Sequence, residues 1–151
     1  KISMAYLRAV LTPDELSKVH FVDASRVTDV PRQLVDLVFS SNTFQSLEAD
    51  VVRDYLKIIA DRARGFYLRD AVAKYRPEDL LGEESKPLDK SNPTAMLGLC
   101  HEVIDVFDEG ALRDARARFE EVYCPSPGFR LVGSAPVQAI PFYQHVMYKV
   151  A

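Results

Sequence analysis

Ser40, Ser41 and Asn42 are the residues best placed to do chemistry, because they follow the apolar run Val35-Asp36-Leu37-Val38-Phe39 and precede Thr43-Phe44-Gln45-Ser46-Leu47. A run of this kind reads as a buried parallel strand, and open α/β sheets bind their ligands beyond the carboxyl ends of such strands. Small polar side chains there leave room for a ligand and can hydrogen-bond a hydroxyl; the structural alternative is a strand-end turn and helix N-cap, where Ser, Asn and Thr are also favoured. Arg69-Asp70, after Phe66-Tyr67-Leu68, occupies a second carboxyl-end position and could orient an acceptor or steer an anionic one, or form a solvated ion pair. The chain has three histidines, His20, His101 and His145, as candidate proton acceptors. His101, beside Glu102, is the best placed of them, since the polar stretch before it could bring its helix over the ligand edge as a lid. Phe44 reads as core before it reads as a stacking platform.

Positioning these groups requires a series of alternating elements. Met4–Leu11 has apolar residues at helical spacing, and Lys18–Ala24 is rich in β-formers and reads as a strand ending near Asp23. A connecting loop over Arg26–Gln33 leads to a strand over Val35–Ser40. Glu48–Ala63 is the clearest helix, with Val51, Val52, Tyr55, Leu56, Ile58 and Ile59 on one broad face, acids in its first turn and Arg62 at its end. Gly65 is placed to stop it, and Phe66–Leu68 is a short apolar strand. From Ala73 to Ser91 the composition turns polar, which reads as a long surface excursion of the kind that is often functional. Helices over Pro93–Phe107 and Ala111–Tyr123 follow. Phe129–Gly133 and Gln144–Val150 read as two strands joined by a Pro-containing connection, and the absence of a helix between them favours an antiparallel pair.

The composition narrows the function classes. With 151 residues, 48% hydrophobic and 27% charged, the chain has the size and core content of one globular domain. A net charge of -3, with Lys and Arg interspersed among Asp and Glu, argues against nucleic acid as a partner. Cys100 and Cys124 lack metal-ligand or disulfide-framework spacing and read as two reduced thiols, so no metal site is expected. No apolar run is long enough to span a bilayer, so no membrane partner is expected, and the absence of a signal-like N-terminus leaves a cytoplasmic location as the expectation. The chain opens on Lys1 rather than Met, and is expected to be a fragment or a processed product.

The wording of Asp36–Leu47 resembles the fourth strand of class I S-adenosylmethionine-dependent methyltransferases, and within them is most similar to the sugar O-methyltransferases of bacteria. Those often read Asp-Leu-apolar-apolar-Asn-Ser-His-Ser-Phe-Ser-Glu-Met; Ser41 and Phe44 match, while Ser40 stands for the Asn, Asn42 for the His and Ser46 for the Glu. The ending is similar too. Class I methyltransferases finish on an antiparallel strand reached from the sixth without a helix and inserted beside the fifth, and Gly128-Phe129-Arg130-Leu131-Val132 followed by Tyr143–Val150 looks like that terminus.

The resemblance implies a partial Rossmann-like α/β sheet, parallel strands with helices and an antiparallel C-terminal strand, as a single domain over 1–151 that forms the C-terminal part of a catalytic domain. No Gly-x-Gly-x-Gly turn occurs among the six glycines, so the first strands and the turn that receives the cofactor's methionine part are expected upstream. It implies S-adenosylmethionine as cofactor, with Asp23, Ala24, Ser40 and Ser41 as its contacts, Asp23 accepting from the adenine amine. It implies a sugar or glycan hydroxyl as methyl acceptor, with Asn42, Gln45, Arg69 and Asp70 as its contacts and His101 as the catalytic candidate. O-methylation needs in-line positioning of oxygen, carbon and sulfur and usually a base. The isolated chain is expected to bind the cofactor poorly. The competing reading is a noncatalytic methyltransferase-like assembly module that self-associates through an exposed sheet edge; another doubly wound nucleotide-binding fold is disfavoured by the antiparallel ending.

Overall fold

The structure, a computed structural model, describes residues 2–29, 35–75 and 96–151. The chain divides into two units, Lys1–Gln33 and Leu34–Ala151.

In the first unit, α1 (Ile2–Val10) matches the expected helix to within two residues. A short α2 (Pro13–Leu16) follows, started by a capping box in which the Thr12 side chain accepts from the Glu15 amide and the Glu15 carboxylate accepts from the Thr12 amide. The expected strand over Lys18–Ala24 does not form. Residues 19–23 have no regular structure, Phe21 and Val22 are 48% and 51% exposed, and a 3-10 turn spans Ala24–Asp29, where a loop was expected. A strand needs a neighbour for its backbone groups, and no other strand exists among the described residues of this unit. Residues 30–33 of the expected loop lie outside the described residues.

The second unit is a mixed α/β fold on a four-stranded sheet. Its elements run β1 (Val38–Ser41), a 3-10 turn (Phe44–Ser46), α3 (Ala49–Arg62), β2 (Gly65–Ala71), β3 (Lys74–Tyr75), β4 (Val103–Ile104), α4 (Glu109–Val122), β5 (Phe129–Val137) and β6 (Ile140–Val150). The sheet order is β1-β2-β6-β5, with β1 parallel to β2 and β6 antiparallel to both its neighbours. A separate small parallel pair joins β3 to β4.

Helix α3 forms where expected because Val52, Leu56 and Ile59 recur at helical spacing and are buried. It ends at Arg62, before Gly65, so the glycine is not its stop signal. Gly65 opens β2 instead, where an added Cβ would lie 3.2 Å from the Asp36 carbonyl oxygen and 3.3 Å from Met147 Cε. Helix α4 starts two residues earlier than expected because the Asp108 carboxylate accepts from the amides of Gly110 and Ala111. The antiparallel pair of β5 and β6 is present, longer than the sequence suggests and joined by Gln138-Ala139, with Pro136 and Pro141 inside the strands rather than in the connection.

The expected helix over Pro93–Phe107 is absent from its described part, residues 96–107. Gly98 has φ +80, outside the helical region, and the amides of Gly98 and Leu99 bond to Leu47 O and to the Tyr123 hydroxyl rather than up a helix. Cys100, Ile104 and Val106 still reach the core, so the apolar spacing that suggested a helix is satisfied by an irregular segment crossing the core's surface. Residues 76–91 of the polar excursion lie outside the described residues.

Right-handed crossovers that step in one direction across a sheet put their helices on the same face. Accordingly Val52, Leu56 and Ile59 of α3 and Leu112, Ala115 and Phe119 of α4 share one core with Phe66, Leu68, Val146 and Tyr148. Alternation sends Phe39, Tyr67, Arg69, Tyr143, His145 and Met147 to the other face, where Phe39 stays 67% exposed. No helix among the described residues is long and apolar enough to cross a membrane. Both cysteines are free thiols.

Candidate functional site

Strands β1 and β2 run parallel with Ser40 opposite Leu68 and Ser41 opposite Arg69, so their carboxyl ends open on the same edge. The chain leaves β1 through Asn42, which has φ 55; Asn tolerates this left-handed region better than other side-chain-bearing residues. Its amide donates to Arg69 O at 2.9 Å, and the Thr43 hydroxyl donates to Ser41 O at 3.1 Å. Ser40 is buried, and its Oγ has no hydrogen-bond partner. Ser41 stands on the face opposite the core.

Phe44 then turns into the core, with ring centroids 6.1, 6.0 and 6.2 Å from Tyr55, Phe66 and Tyr123. It is a core residue, as the sequence suggested. Gln45 is held on three sides. Its amide donates to Asp70 Oδ2 at 3.1 Å, its Nε2 donates to the Tyr143 hydroxyl at 2.8 Å, and its carbonyl accepts from Lys74 Nζ at 3.5 Å.

Arg69 and Asp70, adjacent in sequence, face opposite sides of the sheet. The solvated ion pair considered from the sequence cannot form between them, because consecutive strand residues diverge. Asp70 is fully buried and accepts from the amides of Gln45 and Ala71. Burial pushes its carboxyl up to about 6, against the pull of those amides, the Phe44 amide and the Lys74 ammonium. Lys74 is itself pushed down by burial, with Asp70 opposing. Asp70 therefore positions the Phe44–Ser46 turn rather than meeting a ligand directly.

The segment after residue 96 closes on this turn. Gly98 N donates to Leu47 O at 2.7 Å, Leu99 N donates to the Tyr123 hydroxyl at 3.0 Å, and His101 Nε2 donates to Gly98 O at 2.7 Å. His101 lies in this irregular segment and not on a helix; its Nδ1 is left as the acceptor nitrogen. Cys100 is buried, and its thiol is pushed up to about 12, too high to serve as a nucleophile. A Cβ at Gly98 would sit 3.2 Å from Gln45 Cα and 3.3 Å from the Tyr123 hydroxyl. Gly98→Ala is therefore expected to cost at least about 1–2 kcal/mol from the left-handed backbone alone. A lower urea midpoint by circular dichroism checks it, and an unchanged midpoint would mean that Gly98 holds neither its φ nor its contact with the turn.

The structure thus brings Ser40, Ser41, Asn42, Gln45, Arg69 and Asp70 to one edge, with the His101 segment against the same turn. Asp23 and Ala24 belong to the first unit, at the start of its 3-10 turn. The Asp23 carboxylate accepts from the amide of Ser25 at 2.9 Å and from its hydroxyl, and these bonds hold it below the usual carboxylate range. Sequence reasoning missed Tyr143 and Lys74. Lys74 gave no signal, and Tyr143 enters through the antiparallel register that sets it opposite Ala71.

No protein-family model matches this chain, and neither a curated protein nor a solved structure matches it.

Proposed function

We propose that this chain contributes the acceptor side of S-adenosylmethionine-dependent O-methyl transfer to a sugar or glycan hydroxyl, acting within a longer methyltransferase chain and in the cytoplasm. The observation that carries the reading is the strand order β1-β2-β6-β5: an antiparallel last strand inserted between two parallel ones, beside a Ser-Ser-Asn turn at the carboxyl end of β1. That insertion is the feature the resemblance implied from the last 20 or so residues.

The residues present fit part of the cofactor. In the second unit, Ser40 Oγ is a buried hydroxyl without a hydrogen-bond partner at the end of β1; taken by itself, Asp23 of the first unit is an exposed carboxylate that its bonds to Ser25 hold below the usual range. Bound S-adenosylmethionine would supply an electrophilic methyl on a sulfonium sulfur. Ser41, Asn42 and Gln45 would orient the acceptor hydroxyl, with Asp70 and Tyr143 fixing Gln45. The acceptor nitrogen of His101 is the group for its proton.

The test is calorimetric titration of S-adenosylhomocysteine into this chain and into a version extended upstream, each with Asp23→Ala. Binding by the extended form, weakened about tenfold or more by the substitution, is the expected result. Tight binding by the 151-residue chain itself would remove the expectation of an upstream Gly-rich turn.

A noncatalytic assembly module is the second reading, favoured by the contrast between the sheet's two outer strands. β5 is blunted by Pro136 and two register shifts, whereas β1 carries neither proline, charge nor bulge over Val38–Ser41 and leaves Phe39 exposed beside it. Self-association in sedimentation, abolished by Phe39→Lys, together with no binding of S-adenosylhomocysteine by either form, would put this reading first.

A further inference from the structure

We infer that Arg69 is an anion-binding group and that the acceptor taken at this site is a sugar bearing a carboxylate. The inference rests on the sugar-acceptor reading above and names its substrate class.

Arg69 differs in its surroundings from the ion-paired arginines of the second unit. Arg53, Arg64, Arg113 and Arg118 each pair with a carboxylate, on Asp50, Asp36, Asp114 and Glu102. The guanidinium of Arg69 has no such partner among the described residues, and its buried Nε has no acceptor. A buried donor left unpaired costs about 1–3 kcal/mol, a cost that an acceptor on a bound ligand would offset. Asp70, the nearest carboxylate in sequence, is turned to the opposite face and committed to the Gln45 and Ala71 amides. The guanidinium instead lies 6.0 Å from the centroid of the Tyr143 ring, whose hydroxyl is held by Gln45. A cation–π contact orients the charge without neutralising it.

The neighbours of Arg69 suit a hydroxylated ring. Ser41 and His145 flank it across β1 and β6 on the same face. The Tyr67 hydroxyl bonds to His145 Nδ1. With the phenol as donor, the imidazole keeps its proton on Nε2 and presents a second donor. One step back along the strands, Phe39 and Tyr67 stack with centroids 4.9 Å apart and planes 2° apart, a flat apolar surface for the C–H face of a pyranose.

The guanidinium fork fits carboxylate and phosphate alike, but one positive charge balances a carboxylate monoanion and leaves a phosphate dianion half neutralised. The next cation on this face of β6, Lys149, is opposite Gly65, about 13 Å along the strand from His145 at about 3.3 Å per residue.

The experiment titrates D-glucuronate, D-glucose and glucose 6-phosphate into the 15N-labelled chain, without cofactor, while following the arginine Nε–Hε resonances. Arg69 is assigned by its loss in Arg69→Gln, and that variant's thermal melt is recorded to show that it folds. Saturable movement of the Arg69 resonance by glucuronate, with glucose and the phosphate ester at least about tenfold weaker and the response lost in Arg69→Gln, is expected. Equal binding of glucose and glucuronate, stronger binding of the phosphate ester, or no movement of Arg69 with any of the three would overturn the inference. Because no cofactor is present, failure of the methyl-transfer reading shows in the S-adenosylhomocysteine titration and not here.

Discussion

Phe44→Ala is expected to destabilise the second unit by about 3–5 kcal/mol, the range for removing a buried aromatic ring. Phe44 is 5% exposed and contacts rings from α3, β2 and the end of α4, so no single neighbour can collapse into the space it would leave. The residue also anchors the turn that carries Gln45, and its loss is expected to loosen the Gln45–Tyr143 bond and with it the seat of the Arg69 guanidinium. The chain has no tryptophan, so urea denaturation followed by far-UV circular dichroism is the suitable measurement. A cost below about 1 kcal/mol would show that the ring is not a core residue in solution.

Asp70 is expected to make the stability of the second unit fall as pH rises through 6. Its carboxyl moves from an ordinary 3.8 to about 6 because burial disfavours the charged form more than the amides and Lys74 favour it. The folded state therefore binds more protons than the unfolded state between about pH 4 and 6. The protonated form stabilises the fold below the unfolded value, and that contribution is lost above the folded one. The difference is about 3 kcal/mol. Asp70→Asn keeps an acceptor oxygen for the Gln45 amide and does not titrate, so its urea midpoint should lack this component of the slope between pH 4 and 7.5. A variant whose pH profile matches the parent's would sink the assignment of the slope to Asp70.

The elements legible in the sequence are those whose signal is local. Helices α3 and α4 follow from Val52, Leu56 and Ile59 and from Leu112, Ala115 and Phe119 recurring at helical spacing, and tertiary burial reinforces what the period suggests. The antiparallel ending was legible from two β-rich runs with no helix between them. The opposite orientations of Arg69 and Asp70 were also available, from the strand period of two.

The misread segments share one cause. Lys18–Ala24 has the composition of a strand, but strand formation depends on a partner that composition does not supply. Residues 96–107 have helical spacing, but the positive φ of Gly98 and its bond to Leu47 commit the segment to the turn after β1.

By itself, the sequence determined helices α1, α3 and α4, a parallel strand with a Ser-Ser-Asn end and the antiparallel hairpin, because period and turn chemistry act over a few residues; the strand begins at Val38 rather than Val35 and exposes Phe39 instead of being buried on both faces. The resemblance implied that the last strand inserts beside its neighbour, but only the tertiary structure decided the register that brings Tyr143 beside Arg69 and sets His145 across from it. Strand order and register are chosen by contacts between residues more than 70 positions apart, such as Tyr67 with His145 and Gln45 with Tyr143, and no local pattern encodes those. The burial of Asp70 beneath the turn, and the unpaired guanidinium on the opposite face, follow from that same long-range choice.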